Sequence, residues 1–472
     1  MDIRFLVPLM VFFAGAYFIV RLGAQLIRTE RRTCEKNSFS FEKLGTLTLA
    51  LAGTLGVGNI FGVATALIIG GAGSVLWLLI SSLFAAVIKY AEVTLSLSYG
   101  EGGGMIAVLK KSFGRQGKAL SSLYALGAII LGAVMGFALQ GGSFAECVYV
   151  SFGIPPFLSA VSMICILLWI VSGNEGKIKK FTATIIPLTT IVYIIVSFWI
   201  ILQNSERLPQ VINMIFKDAF TLDSGIGGIL GFITSSRVRE GFCGGILSNE
   251  AGAGTSSFAH TSGGDIGGVG GILEVLFDTV ILCMLTSFAT LCALPDFNTY
   301  SSGVELILSA VYSVFGGGGI GAVCLIAFSF AICTAACWYY YSSECVRVLF
   351  GKAYGRLTLT VMALCILIGS YTDGKHLVVA SHYLLLLLST LSLAALIKNS
   401  DKVIKLTLSE RRVISKSKRE NGRTARQKLR RNEKQKSNIT KDGFSSLKRR
   451  RVKKAHKAGK LSSPRQASHS QT

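Results

Sequence analysis

The sequence predicts an all-α integral membrane protein of about eleven transmembrane helices, two of them interrupted in mid-span. Three observations predict it. Of 472 residues, 51% are hydrophobic and 15% charged, with a mean hydropathy of +0.55, whereas soluble domains carry roughly 25% charged residues. Apolar runs long enough to cross a bilayer, about 20 residues each, recur at roughly 4–27, 44–69, 74–99, 120–146, 157–173, 181–202, 268–294, 318–342, 357–373 and 377–397. Within the second run, Ala52–Ala66 is broken by Gly56, Gly58 and Asn59, and a second glycine-rich apolar segment, Gly241–Ser257, is broken in the same way. Counting that segment, at about 238–264, gives eleven crossings.

The first run ends in Arg21 and Arg28 with no small-residue cleavage site beyond them, so it is a membrane helix and not a leader. Basic residues then set orientation. Arg28, Arg31, Arg32, Lys36 and Lys43 follow run one, and Lys110, Lys111, Arg115 and Lys118 follow run three. Lys177, Lys179, Lys180, Arg347, Lys352 and Arg356 fall on that same side, against only Arg4, Arg207, Lys217 and Lys375 opposite. The richer side is expected to be cytoplasmic, with the N-terminus outside. Only the turn near 263–267 breaks the pattern, since it carries no basic residue.

From Asn399 to Thr472 the composition changes. There are 24 Lys or Arg against 5 Asp or Glu, a net of +19 out of +23 for the chain. Such a stretch is expected to be disordered alone and to touch anionic lipid head groups. Nucleic-acid or ribosome contact through Lys448–Lys454 is the less favoured alternative. The eleven cysteines show no metal-ligand spacing and read as small buried hydrophobes. Gly316–Gly319 lacks the strand and G-K-[ST] of a phosphate loop. His260 reads as structural, with the capacity to titrate near neutrality.

The two interruptions carry the functional signal. Unwound backbone has no water to bond in hydrocarbon, so it persists only where it is buried in protein or lines a cavity. In secondary transporters such breaks grip substrate and coupling ion near the midplane. No nucleophile–base pair or metal cluster appears, which argues against an enzyme.

The motifs carry a resemblance. G-V-G-N-I-F-G-V-A-T-A-L-I-I-G-G-A-G at Gly56–Gly73, K-Y-A-E at Lys89–Glu92, S-N-E-A-G-A-G at Ser248–Gly254, L-F-D-T at Leu276–Thr279 and C-T-A-A-C-W-Y-Y-Y-S-S-E-C at Cys333–Cys345 resemble the alanine or glycine:cation symporter family. The resemblance runs from about Val11 to Leu396. It implies a five-plus-five inverted-repeat, leucine-transporter-like core with a discontinuous first helix in each repeat. The expected organisation is an extra helix and loop (1–43), a first repeat (44–202), an extracellular connection (203–237), a second repeat (238–397) and a basic tail (398–472). The sequence departs from the family pattern at Gly70–Gly73 (G-G-A-G for G-G-P-G), Gly102–Ala107, Gly141 and Ser381–Tyr383.

An amino acid zwitterion needs N–H donors for its carboxylate and acceptors for its ammonium. Freed amides near Val57, Gly58 and Asn59 start a half-helix whose positive end suits a carboxylate, and Gly56 and Gly58 let a ligand approach the backbone. Asn249 and Glu250 offer acceptors at the second break. Asp278, inside an apolar run, is a functional candidate by its position, either touching cargo or pairing within the bundle. Ala52 and Leu55 carbonyls could serve a cation. The resemblance adds a coupling-ion hydroxyl from Thr334, with Thr54, Gln140 and Thr279 as further candidates. Lys89 with Glu92 reads as a gate or structural pair, and Arg237, Arg239 and Glu240 as an outer gate or a polar rim. The expected function is sodium-coupled symport of a small neutral amino acid into the cell across the plasma membrane, with no cofactor. Proton-coupled transport of another zwitterion, or a transporter-derived receptor signalling through the tail, are the alternatives.

Overall fold

The computed structural model describes residues 3–33, 41–100, 103–173, 175–221, 235–262, 267–351 and 355–408; the basic stretch 409–472 and the turn 263–266 lie outside them. All regular structure among these residues is helical. In order, the helices are α1 (Leu6–Thr33), α2 (Phe41–Thr54), α3 (Phe61–Gly70), α4 (Ser74–Leu97), α5 (Gly104–Ser112), α6 (Gly114–Leu131), α7 (Leu139–Phe152), α8 (Pro156–Val171) and α9 (Glu175–Gln203). There follow α10 (Leu208–Ala219), α11 (Ser236–Asn249), α12 (Ser257–His260), α13 (Gly268–Val275), α14 (Met284–Ala293), α15 (Gly303–Phe350), α16 (Gly355–Gly369) and α17 (Gly374–Lys398).

Seven helical stretches among the described residues are long and apolar enough to cross a membrane, counting α6–α7 and α13–α14 as continuous through π-helical segments at Gly132–Ala138 and Leu276–Cys283. Three shorter apolar helices, α3, α8 and most of α16, join them. With α2–α3 and α11–α12 as broken crossings, every one of the eleven expected spans has its helical counterpart. The chain punctuates itself as the residues dictate. Gly153 ends α7 at φ 67°, a left-handed position that glycine takes without steric cost, and Pro155 with Pro156 then opens α8.

Hydropathy missed the amphipathic pieces. α5 and α10 are short, and α10 presents one apolar edge through Val211, Ile215 and Ala219. Asp218, near its end, accepts from the Gly73 amide at 2.7 Å, where α4 begins, and pairs with Arg237 of α11 at 2.8 Å. One carboxylate thus serves the first turns of two crossing helices, where the helix dipole favours negative charge. Arg239 and Arg4 pair with Glu240 at 3.0 and 3.4 Å, so this end is closed by charge.

Two expectations need correction. The run read as 318–342 belongs to a 48-residue helix, α15, which Gly316 divides at φ 60° and ψ −152°. The glycine run is therefore a kink. The tail does not lose order at Asn399, because helix continues over residues 400–408. Val403 and Thr407, one turn apart, are both fully buried, and Thr407 bonds Tyr90 at 3.1 Å. Net charge hid this segment, since its buried face needs only a few side chains, Ser400, Val403 and Thr407.

Candidate functional site

The first break lies between α2 and α3. Helix pairing stops at Leu55, and a single turn at Val57–Asn59 precedes α3. The Gly56 amide bonds the Thr54 carbonyl at 2.9 Å and the Asn59 side-chain oxygen at 3.1 Å. The Val57 amide donates to Gln140 Oε1 at 3.1 Å, and the Gln140 amide donates back to Met135 O at 3.2 Å. That carbonyl lies within the π-helical Gly132–Ala138, a widened turn of the kind that gathers at functional sites. The structure thus brings Gln140 to the break. A Cβ on Gly56 would lie 2.8 Å from Gln140 Oε1 and 2.9 Å from Thr334 Oγ1, so no larger residue fits there.

Gly58 differs from Gly56. No atom lies within 4 Å of the place its Cβ would take. It lines a small cleft with Val57, Thr65, Ser143, Glu146, Ser302 and Asp373 among the walls. Glu146 accepts from Ser302 and lies in electrostatic range of Asp373, Glu305 and Lys375. Sequence reasoning missed these rim residues. The available signal was that Glu146 and Asp373 sit at the ends of apolar runs.

Asn59 ties the two breaks together. Its Nδ2 donates to Ser248 Oγ at 3.0 Å and to Asp278 Oδ1, while Ser248 and Thr279 donate to Asp278 Oδ2. Asn249 donates to Thr279 at 3.0 Å, and Thr286 donates to the Asn59 carbonyl at 2.8 Å. Asn59, Asn249, Asp278 and Thr279 are all fully buried. Asp278 thus accepts three donors, from Asn59, Ser248 and Thr279, inside the bundle.

The second break is filled by its own residues. Glu250 adopts left-handed backbone at φ 54°, costly outside glycine. The Asn249 side chain accepts from the Ala251 amide at 3.0 Å, Thr255 donates to Glu250, and Tyr124 donates to the Ala253 carbonyl at 2.7 Å. Glu250 stands within electrostatic range of Lys89 and Glu274 as well as Asp278. Lys89 meets Glu274 at 3.1 Å, and Glu92 accepts from Ser392 at 3.4 Å.

The expected cation ligands fall into one neighbourhood only in part. Thr334 Oγ1 lies 3.1 Å from the Leu55 carbonyl, across from α15 to the end of α2. Ala52 is buried nearby in sequence, and the Thr54 hydroxyl turns back to Leu51 O at 3.3 Å. A hydroxyl and a carbonyl from two helices can present oxygens to a small cation, and hard cations take oxygen donors.

Comparison with known proteins decides the family. The model of the sodium:alanine symporter family matches residues 3–423. The chain belongs to that family. The sodium/alanine symporter AgcS of Methanococcus maripaludis is 28% identical over 371 residues, 73% of this chain and 80% of that one. The sodium/proton-dependent alanine carrier protein of Bacillus sp. strain PS3 is 29% identical over 366 residues, 71% of this chain and 80% of that one. The YrbD protein of Bacillus subtilis strain 168 is 34% identical over 318 residues, 62% of this chain, and the match spans 64% of that protein's length. Among solved structures, MhsT in complex with L-phenylalanine matches with a TM-score of 0.59 at 12% identity, covering 78% of this chain and 98% of that one. That likeness shows the inverted-repeat transporter fold with its discontinuous helices. Members of the sodium:alanine symporter family are cation-coupled amino-acid symporters and not enzymes, and this multi-pass membrane protein is one of them.

Proposed function

We propose that the chain carries a small neutral amino acid into the cell, driven by a sodium gradient. Substrate would sit at the first break, reached through the cleft that Gly58 lines. Its carboxylate would meet the Val57–Asn59 turn after displacing the Gln140 oxygen from the Val57 amide. Sodium would sit between Thr334 and the carbonyls of Ala52 and Leu55. The observation that carries this reading is the pairing of an open Gly58 with the Thr334–Leu55 contact one turn away. Relatives named for sodium and alanine support the ion and the substrate class.

On this reading the repeats span 44–202 and 238–397, the plasma membrane is the seat, and the basic tail faces the cytoplasm against anionic lipid. Substrate and ion binding together would close the cleft on the Glu146 side and release the opposite side. Asp278 and Asn59 would hold the two breaks in register during that change.

The test is uptake of labelled alanine into proteoliposomes, with and without sodium, against a competition panel of amino acids. Sodium-dependent accumulation blocked by small neutral amino acids is expected. Binding without accumulation would overturn transport and leave a receptor.

A further inference from the structure

Five ionisable side chains from four elements meet away from the cleft: Lys89 and Glu92 of α4, Glu250 at the second break, His260 of α12 and Glu274 of α13. Each is at most 1% exposed. Lys89 Nζ stands 3.1 Å from Glu274 Oε1, and His260 Nε2 stands 3.3 Å from Glu274 Oε2. Glu92 and Glu250 lie within electrostatic range of Lys89. From the other packed elements, Tyr124 of α6 faces Glu92 and Glu250, while Tyr341 and Cys337 of α15 face Glu250 and Glu274. Asp278 faces Glu250 from farther along the same bundle.

The charges do not balance. Three carboxylates against one ammonium leave two surplus negative charges when His260 is neutral, and one when it is protonated. Buried uncompensated charge is expensive, and a group so placed takes up a proton in preference to staying charged. The polar atoms agree with that count. Glu92 Oε2 and Glu250 Oε1 are buried with no hydrogen-bond partner, as is His260 Nδ1. Lys89 and Glu274 form an ion pair by distance, without hydrogen-bond alignment. Buried polar atoms rarely go unmet without a missing proton, water or ion. Among the described residues, no group of three or more carboxylates, imidazoles or thiols is spaced to hold a metal ion. A proton needs no coordination sphere.

We propose that this cluster is a proton-binding site, with Glu92 and Glu250 sharing a proton that relieves part of the surplus negative charge beside Lys89 and Glu274, and that the proton exchanges during the transport cycle. Glu274 stays ionised between Lys89 and His260. A proton added from water on one side forms a carboxylic acid on Glu92 or Glu250, and its loss to the other side restores the carboxylate. The transport half of the proposal rests on the symporter reading; proton occupancy does not.

Two measurements test it. Infrared spectra of the purified full chain near neutral pH are expected to show the carbonyl stretch of a protonated carboxyl. The double variant Glu92→Gln with Glu274→Gln leaves Glu250 and Lys89 in balance, and should lose that band. Lys89→Met adds to the surplus and should strengthen it, which keeps the test alive if the double variant folds poorly. Absence of the band in the unmodified protein would overturn the site. In proteoliposomes holding a trapped pH dye, labelled alanine influx is expected to acidify the interior, with proton movement per alanine falling to background in the double variant. Alanine accumulation with no acidification would overturn the exchange while leaving the symporter reading intact. Absence of accumulation with the band present would instead overturn the symporter reading and retain the proton site.

Discussion

The two broken helices solve the same problem in opposite ways. At the first break the chain spends its polar groups on neighbours yet leaves Gly58 facing open space. At the second, Asn249 and Tyr124 meet the unwound backbone, Thr255 holds the Glu250 side chain, and a left-handed glutamate joins the left-handed Gly252 and Gly254. Both obey the rule that freed amides and carbonyls in hydrocarbon must be met. A break in a membrane helix therefore does not by itself open space beside it, and of these two it is the first whose glycine faces a cleft.

The sharpest way to break that contrast is to fill the open side. Gly58→Leu should abolish alanine uptake with near-normal expression, because its Cβ has open space and the rest of the side chain enters the cleft. Normal uptake by that variant would remove the carboxylate from the first break. Gly56→Ala attacks the same turn from behind, where overpacking costs about 1–3 kcal/mol. It should reduce uptake and thermal stability together, as read by uptake and by a melting curve.

Next in size is the tie between the breaks. Asp278→Ala strands buried donors on Ser248 and Thr279, each costing about 1–3 kcal/mol. A clear drop in melting temperature is expected, with little folded protein recovered. If the variant melts as the parent does, the three hydrogen bonds on Asp278 are not holding the breaks in register.

Thr334→Val is a smaller and cleaner change. It keeps the shape and removes the oxygen facing Leu55, so cation affinity should fall while packing survives. Linkage requires apparent substrate affinity to fall with it, and high sodium should partly restore that substrate affinity. Superimposable sodium-activation curves for the two proteins would return Thr334 to a structural hydroxyl.

Least affected should be a chain ended after Leu408. It keeps every residue that touches the bundle up to Thr407, and uptake should stay within experimental error of the parent. Ending it at Lys402 instead removes Val403 and Thr407 and should lower the melting temperature. Equal melting of both truncations would mean the 400–408 helix adds nothing.

The membrane fold was legible because hydropathy and the positions of Gly56, Gly58 and Asn59 are local signals. Motif order supplied the repeat architecture and placed Thr334 near the first break. The rest depends on long-range packing that no local pattern encodes. Glu274 is one polar residue within an apolar run, and only the fold sets it against Lys89 and His260. Glu146 and Asp373 carry no local signal of a cleft, and only the packing of α7 and α17 brings them to one cleft wall. The 400–408 helix was masked by the strongly basic composition of residues 409–472.

The kink at Gly316 has a mechanical consequence. Residues 303–315 form an arm whose first residue, Gly303, lies so close to α3 that a Cβ would sit 2.2 Å from the Phe61 carbonyl. Thr334 lies on the far side of the kink. An arm clamped to α3 at one end and jointed at a glycine at the other follows α3 without torque on the rest of the helix. On the proposed reading, closing over substrate would move this arm with α3 and leave the Thr334 hydroxyl where it is, so the proposed ion ligand would act as a fixed post and the arm as a swinging jaw.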